Sequence, residues 1–224
     1  MGERGGPAVG EPGEVGRMSR RVVVLDYGSG NLRSAERALA RAGAEVTVTD
    51  DLTAAARADG LVVPGVGAFA ACMAAIESLG AGPVIAERVA AGRPVLGICV
   101  GMQVLFEHGD EHGVVTKGLG LLPGGVTKLP ADRLPHMGWN TVDAPAGSVL
   151  FAGLPADARF YFVHSYGVTD PAALSAAGAT VTTAHHGADF VAGVERGVLS
   201  AAQFHPEKSA DTGAAWLRNW LATL

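Results

Sequence analysis

The sequence predicts an α/β fold: a central, mostly parallel sheet flanked by helices, with a more antiparallel second half. Three observations carry this. Up to about residue 100, short apolar runs alternate with helical patterns, the signature of βαβ units. From about Gly118 strand-like runs follow one another with few helices between them. The 224 residues, 48% of them hydrophobic, suit one domain with a sizeable core.

The elements follow in order. Val22 to Leu25 reads as the first strand, Asn31 to Ala42 as a helix and Glu45 to Val48 as the second strand. Asp51 to Ala58 suits a helix with Asp50 or Asp51 near its cap. Leu61 to Val63 is a short apolar strand, and Phe69 to Leu79 and Pro83 to Ala91 are helical in pattern. Val95 to Ile98 is a buried strand. In the second half, Val126–Leu129, Trp139–Val142, Arg159–Val163, Thr180–His185, Phe190–Val194 and Val198–Gln203 are strand-like. Ala214 to Leu224 closes the chain as a helix, with Trp216 and Trp220 on one face.

Composition excludes several classes. The net charge of -5, without a Lys/Arg cluster, argues against a nucleic-acid partner. Two cysteines are too few for a disulfide framework and fit a reducing, cytoplasmic setting. Residues 1–20 are rich in Gly, Pro and Glu and are expected to be a disordered extension, with the domain spanning 21–224. Met18 is a candidate alternative start. No apolar leader or membrane-length run is present, so neither export nor a membrane is expected.

The chemistry concentrates in two segments. The apolar run Val95–Ile98 ends in Gly97-Ile98-Cys99-Val100-Gly101, the layout of a nucleophile elbow, in which a sharp strand-to-helix turn lifts one side chain above the sheet. Glycines flank the nucleophile because a side chain there would collide with neighbouring elements. A thiol at the start of a helix meets the positive end of its dipole, which favours the reactive thiolate. Near the end stands Gln203-Phe204-His205-Pro206-Glu207-Lys208, with His205 just past a core strand. Pro206 bars continuation of that strand, and Glu207 can swing back to the imidazole. Cys99 would attack, His205 would shuttle the proton and Glu207 would orient the ring, a triad in the general sense. Both segments sit at carboxyl ends of strands, where α/β sheets place their sites. Taken singly, Cys99 also reads as a small buried hydrophobe and His205 as part of a surface turn.

These two motifs resemble the class I (triad) glutamine amidotransferases. Pro64-Gly65-Val66-Gly67, Pro135-His136-Met137-Gly138-Trp139-Asn140, Tyr161 to Tyr166 and Asp26 to Leu32 narrow the match. Together they are similar to the glutaminase subunits of imidazole glycerol phosphate synthases, a family in histidine biosynthesis. The resemblance covers Arg21 to Leu224; Val100 stands where relatives often carry Leu. It implies a single flavodoxin-like amidotransferase domain that hydrolyses L-glutamine, with no cofactor and no metal. It also implies an oxyanion hole from the Gly65–Gly67 stretch and the Val100 amide, the former turned away until a partner is loaded.

The same resemblance makes Gln103 a glutamine-binding residue, and Gln103 lies one helical turn after Cys99. His164, Ser165 and Tyr166, at a strand end, would hold the substrate's amino and carboxylate groups; a structural role for His164 is an equal alternative. His136, Met137 and Trp139 lie in a segment read as a Pro- and Gly-bounded loop, and its composition suits an interface. Asn31 and Lys208 are expected at that interface too. The few residues after Glu207 leave no room for an ammonia acceptor, so a separate (β/α)8-barrel cyclase subunit is implied as heterodimer partner. His108 and His112, beside Glu107 and Glu111, hint at a metal site, but a solvated loop is expected there. His185 and His186 point to opposite faces if extended, and Cys72 is expected to be buried and inert. Rival readings are a free-standing γ-glutamyl hydrolase, an inactive interaction subunit, or the subunit of another amidotransferase.

Overall fold

Four apolar residues, Val22 to Leu25, are buried on both faces and form most of β1 (Arg20–Leu25), the strand on which the first half is built. The computed structural model describes residues 20–224. The expected disordered extension lies outside them, except Arg20, which belongs to β1. The α/β alternation then runs as the periodicity predicts: α1 (Leu32–Ala42), β2 (Ala44–Thr49), α2 (Leu52–Arg57), β3 (Gly60–Gly65), α3 (Phe69–Leu79), α4 (Ala81–Ala90) and β4 (Val95–Cys99). Asp51 caps α2, its side chain accepting from the amides of Thr53 and Ala54 at 2.8 and 3.3 Å. The last turn of α2 is closed by a different device. Arg88, buried on α4, donates to the carbonyls of Ala55, Ala56 and Ala58, and to those of Asp59 and Pro94, at 2.9–3.3 Å. Burial lowers its pKa to about 10, which leaves it charged at neutral pH.

The elements continue with α5 (Val100–Gln103), β5 (Phe106–Glu111), β6 (Val114–Lys117), β7 (Leu122–Lys128), β8 (His136–Thr141), β9 (Arg159–His164), β10 (Tyr166–Gly167), α6 (Ala172–Ala176), β11 (Thr180–His186), β12 (Ala188–Arg196) and β13 (Leu199–Ala202). A single 3₁₀ turn at Pro206–Lys208 leads into α7 (Ala210–Leu221), which starts earlier than the expected Ala214. The main sheet has the order β11-β12-β13-β4-β3-β1-β2. β2, β1, β3, β4 and β13 are parallel; β12 and β11 extend the sheet antiparallel. Trp216 and Trp220 of α7 are fully buried, and Trp216 meets Phe204 edge-on at 5.3 Å. Among the described residues no single helix is long and apolar enough to cross a membrane.

Two expectations are corrected. The stretch around His108 and His112 is not a loop but the hairpin β5–β6, with His112 and Gly113 both at positive φ (55° and 78°) in its turn. Paired positive φ is the requirement of a tight hairpin turn, which a His–Gly dipeptide meets through its glycine and a strained His. The Pro135–Asn140 segment is likewise not a loop: from His136 it pairs antiparallel with β9.

Replacing Arg88 by Met would remove a donor shared by five carbonyls, of which Pro94 keeps the Leu61 amide, and is expected to cost about 3 kcal/mol. Urea unfolding measures this directly; a loss below about 1 kcal/mol would show that water or a local shift replaces the guanidinium.

Candidate active site

The nucleophile position is built by close packing. Cys99, last residue of β4, has φ 57° and ψ -115°, a conformation rare outside glycine. Gly65 at the end of β3 pairs with Cys99 in register. A side chain at Gly65 would overlap the Gly101 amide, and one at Gly101 would overlap the Val63 carbonyl. At Gly97 a β-carbon would come within 2.6 Å of the Gly101 carbonyl oxygen. The turn therefore needs all three glycines. The helix that follows, α5, is a single turn of 4 residues.

His205 stands beyond β13, the parallel neighbour of β4 on its other side. Its amide donates to the Tyr161 carbonyl at 2.9 Å, and the buried Ser209 hydroxyl donates to the His205 carbonyl at 2.6 Å. The 3₁₀ turn brings Glu207 back so that His205 Nδ1 lies 2.7 Å from Glu207 Oε1, both side chains nearly inaccessible. A carboxylate accepts only, so Nδ1 carries the proton and Nε2 is the atom left for the thiol. Asn31 Nδ2 donates to the same Glu207 oxygen at 2.6 Å. Burial opposes charge on His205, but the Cys99 thiol and Glu207 together outweigh it and raise its pKa to about 9.

Cys99 and His205 line one cavity of about 320 Å³. Gly67, Val100, Gln103, His164, Ser165, Tyr166 and Lys208 line it too. Gly65, Asn31 and Glu207 lie in a smaller pocket beside His205. Gln103 is buried, and its Nε2 donates to the Tyr166 carbonyl and to Gln203 Oε1, both at 2.9 Å. Both amide protons are thereby used, and its Oε1 is the atom left to recognise a donor. Gln203 Nε2 lies 3.9 Å from Cys99 Sγ. Gly67 has φ 84°, the left-handed region glycine favours. Next to it, the Val66 amide donates to the Ser29 hydroxyl at 3.2 Å, and Cys72 Sγ donates to the Val66 carbonyl at 3.4 Å. Cys72 is buried as expected, and burial pushes its thiol pKa up.

The expected interface residues divide. Met137 and Trp139 are 66% and 50% exposed on β8, and Lys208 Nζ lies 5.9 Å above the Tyr161 ring, which Trp139 meets edge-on. His136 does not join them. It is buried, stacked between Phe162 and His186, because the strand alternation turns it inward. Asn31 is not simply a surface group either, since it holds Glu207. His185 pairs with Asp189 at 2.7 Å in solvent, while His186 packs on His136, consistent with opposite faces. Sequence reasoning missed Gln203, Ser29 and Ser209, and it set Glu111 beside His112 rather than in the cavity, where its carboxylate accepts from the Phe69 amide at 2.9 Å. For Gln203 a signal existed: it is the one polar side chain between Ala201 and Phe204 in an otherwise apolar run.

A doubly wound sheet with a strained cysteine at one strand end and a His–Glu pair at the next defines a class I glutamine amidotransferase. The family model described as "Glutamine amidotransferase class-I" matches residues 23–224, and the chain belongs to that family. Its particular place within the class follows from its relatives. The chain is 60% identical over 210 residues to imidazole glycerol phosphate synthase subunit HisH of Streptomyces avermitilis, covering 92% of this chain and 98% of the relative. It is 62% identical over 207 residues to the HisH subunit of Mycobacterium tuberculosis H37Rv, covering 91% and 98%. It belongs to the HisH family of glutaminase subunits. Among solved structures, a putative GMP synthase component from Thermoplasma acidophilum superposes with TM-score 0.67 at 22% identity, over 91% of this chain and 93% of that one. PurLQS from Thermotoga maritima gives 0.66 at 18%, over 92% and 99%. These two share the fold.

The geometry sets a titration. His205 is expected to lose its ring proton near pH 9, and Glu207→Gln, which removes a stabilising carboxylate, moves the midpoint down. Histidine NMR titration reads both; a wild-type midpoint near 6.5 would contradict the pairing.

Proposed function

We propose that this chain hydrolyses L-glutamine to glutamate and ammonia and passes the ammonia to a separate cyclase subunit. That partner, a (β/α)8 barrel, would form imidazole glycerol phosphate and aminoimidazole carboxamide ribotide in histidine biosynthesis. The supporting observation is the shared cavity of Cys99 and His205, with Glu207 fixed behind the ring. Residues 21–224 are assigned to this one amidotransferase domain, in a cytoplasmic heterodimer.

Cys99 sulfur attacks the glutamine amide carbon while His205, doubly protonated at neutral pH, already holds a proton on Nε2. With a pKa near 9 the ring keeps that proton until the departing nitrogen collects it, so ammonia leaves and a glutamyl thioester remains. Water, activated by the now neutral ring, opens the thioester to glutamate and restores the thiol. The oxyanion is stabilised by the Val100 amide and by an amide from the Gly65–Gly67 stretch. In the resting chain the Val66 amide is engaged by Ser29, which supports low activity until the partner reorients this stretch. Gln103 offers its Oε1 to an amino group of the substrate, and the His164–Tyr166 wall faces the substrate's charged end. Met137, Trp139 and Lys208, with Asn31 behind the triad, form the face offered to the cyclase, where an exposed Met and Trp give a surface of the interface type.

Glutamate release is expected to be weak for the chain alone and strongly stimulated by the cognate cyclase with its nucleotide ligand. High activity alone would favour a free-standing hydrolase. In the complex, Cys99→Ala should abolish glutamine-dependent synthesis and leave the ammonia-dependent reaction intact. His205→Ala should cost about 10²–10⁴-fold, and Glu207→Gln less, since orientation rather than the base is lost. Loss of the ammonia reaction in a folded Cys99→Ala complex would contradict separate sites.

A further inference from the structure

At the wall of the glutamine cavity lie two buried histidines whose ring-to-ring contact the proposed chemistry does not use. His136 on β8 and His164 at the end of β9 face each other, Nδ1 to Nε2 at 3.1 Å. His164 Nδ1 lies 2.8 Å from the Tyr166 carbonyl oxygen. Asn140 Nδ2 lies 3.3 Å from His136 Nε2 and donates to the His185 carbonyl at 2.9 Å. Both ends of this chain are carbonyls, which only accept, and that fixes every proton between them. From one end, His164 must carry its proton on Nδ1, so its Nε2 accepts, and His136 must donate from Nδ1. From the other, the Asn140 amide points its N–H at His136 Nε2, which therefore accepts. The two derivations agree. Both rings are neutral Nδ1–H tautomers; a charged ring would set N–H against N–H. Burial, the largest influence on each, lowers the pKa of His136 to about 4 and of His164 to about 3, so neutrality holds at pH 7.

The chain does not end at the carbonyl. Tyr166 oxygen also accepts from Gln103 Nε2, which holds Gln203, whose amide reaches Cys99 Sγ. At the far end, β8 carries the exposed Met137 and Trp139. Buried hydrogen-bonded pairs contribute little net stability against apolar groups of the same shape. The Phe162 and Phe190 rings packed around these imidazoles show that apolar side chains suit this core. We propose that His136 and His164 are positioning residues: their one-way hydrogen-bond chain fixes the Tyr166 peptide, and through it Gln103, in the orientation that binds glutamine. This rests on the glutaminase reading for its kinetic consequence, but its structural content does not.

Histidine ¹⁵N NMR at pH 7 tests the structural part. The expected result is Nδ1–H, Nε2-free signals for both rings, with His164 keeping its Nδ1–H tautomer in His136→Phe because the Tyr166 carbonyl still accepts from it. An Nε2–H or charged state of either ring in the wild type overturns the chain. The kinetic part is read in the stimulated complex. His164→Ala should raise KM for glutamine about tenfold with a smaller change in kcat. His164→Asn, whose amide N–H replaces the ring Nδ1–H, should recover most of the loss. Equal impairment in the two variants, or a kcat loss without a KM change, would refute the positioning role. A wild-type complex with no glutamate release would sink the glutaminase reading and leave the tautomers to be judged separately.

Discussion

Cys99 can turn away from its own strand only because Gly65, Gly97 and Gly101 leave the space around it empty. Everything else in the site depends on that packing. A non-glycine residue at φ 57° carries strain of about 1–3 kcal/mol, which persists because Cys99 ends β4 and is paired in register with Gly65 of β3. The same sheet order then supplies the partner: β13 runs parallel to β4 and carries His205 off its end at the height of the thiol. A change that relaxed the turn would separate the sulfur from the imidazole without touching either side chain.

Around this turn the polar groups are held by residues far away in sequence. Asn31, from the start of α1, shares the Glu207 oxygen that holds His205. Ser209 fixes the His205 carbonyl and accepts the Tyr161 amide, tying the base to β9. β9 in turn pairs with β8, whose outer side carries Met137 and Trp139. The exposed Met137 and Trp139 and the groups that set the cavity are thus two sides of one two-stranded ribbon. Ser29 and Cys72 add a second restraint, on the Val66 peptide, from β1–α1 and α3.

What the sequence made legible was local. The elbow and the His–Pro–Glu turn are short motifs in which the glycines and proline state their own backbone requirements, and the parallel half follows from hydrophobic periodicity. The hairpin β5–β6 was missed because Glu107–Glu111 is polar and glycine-interrupted; its pairing to β7, rather than its own pattern, makes Phe106–Glu111 a strand. His136 read as surface because the inward or outward sense of β8 depends on its register with β9. Asn31 with Glu207, Gln203 with Gln103, and Arg88 with the end of α2 are contacts across the fold, which no local pattern encodes.

The central claim is that Cys99, on the strained turn at the end of β4, and not Cys72 on α3, is the nucleophile that meets glutamine. The direct measurement is peptide mass spectrometry of the chain, in complex with its cyclase, after exposure to a diazoketone analogue of glutamine. The account predicts one adduct per chain, on Cys99, prevented by excess glutamine and slowed by His205→Ala. An adduct on Cys72, or a complex that releases glutamate while Cys99 stays unlabelled, would contradict it.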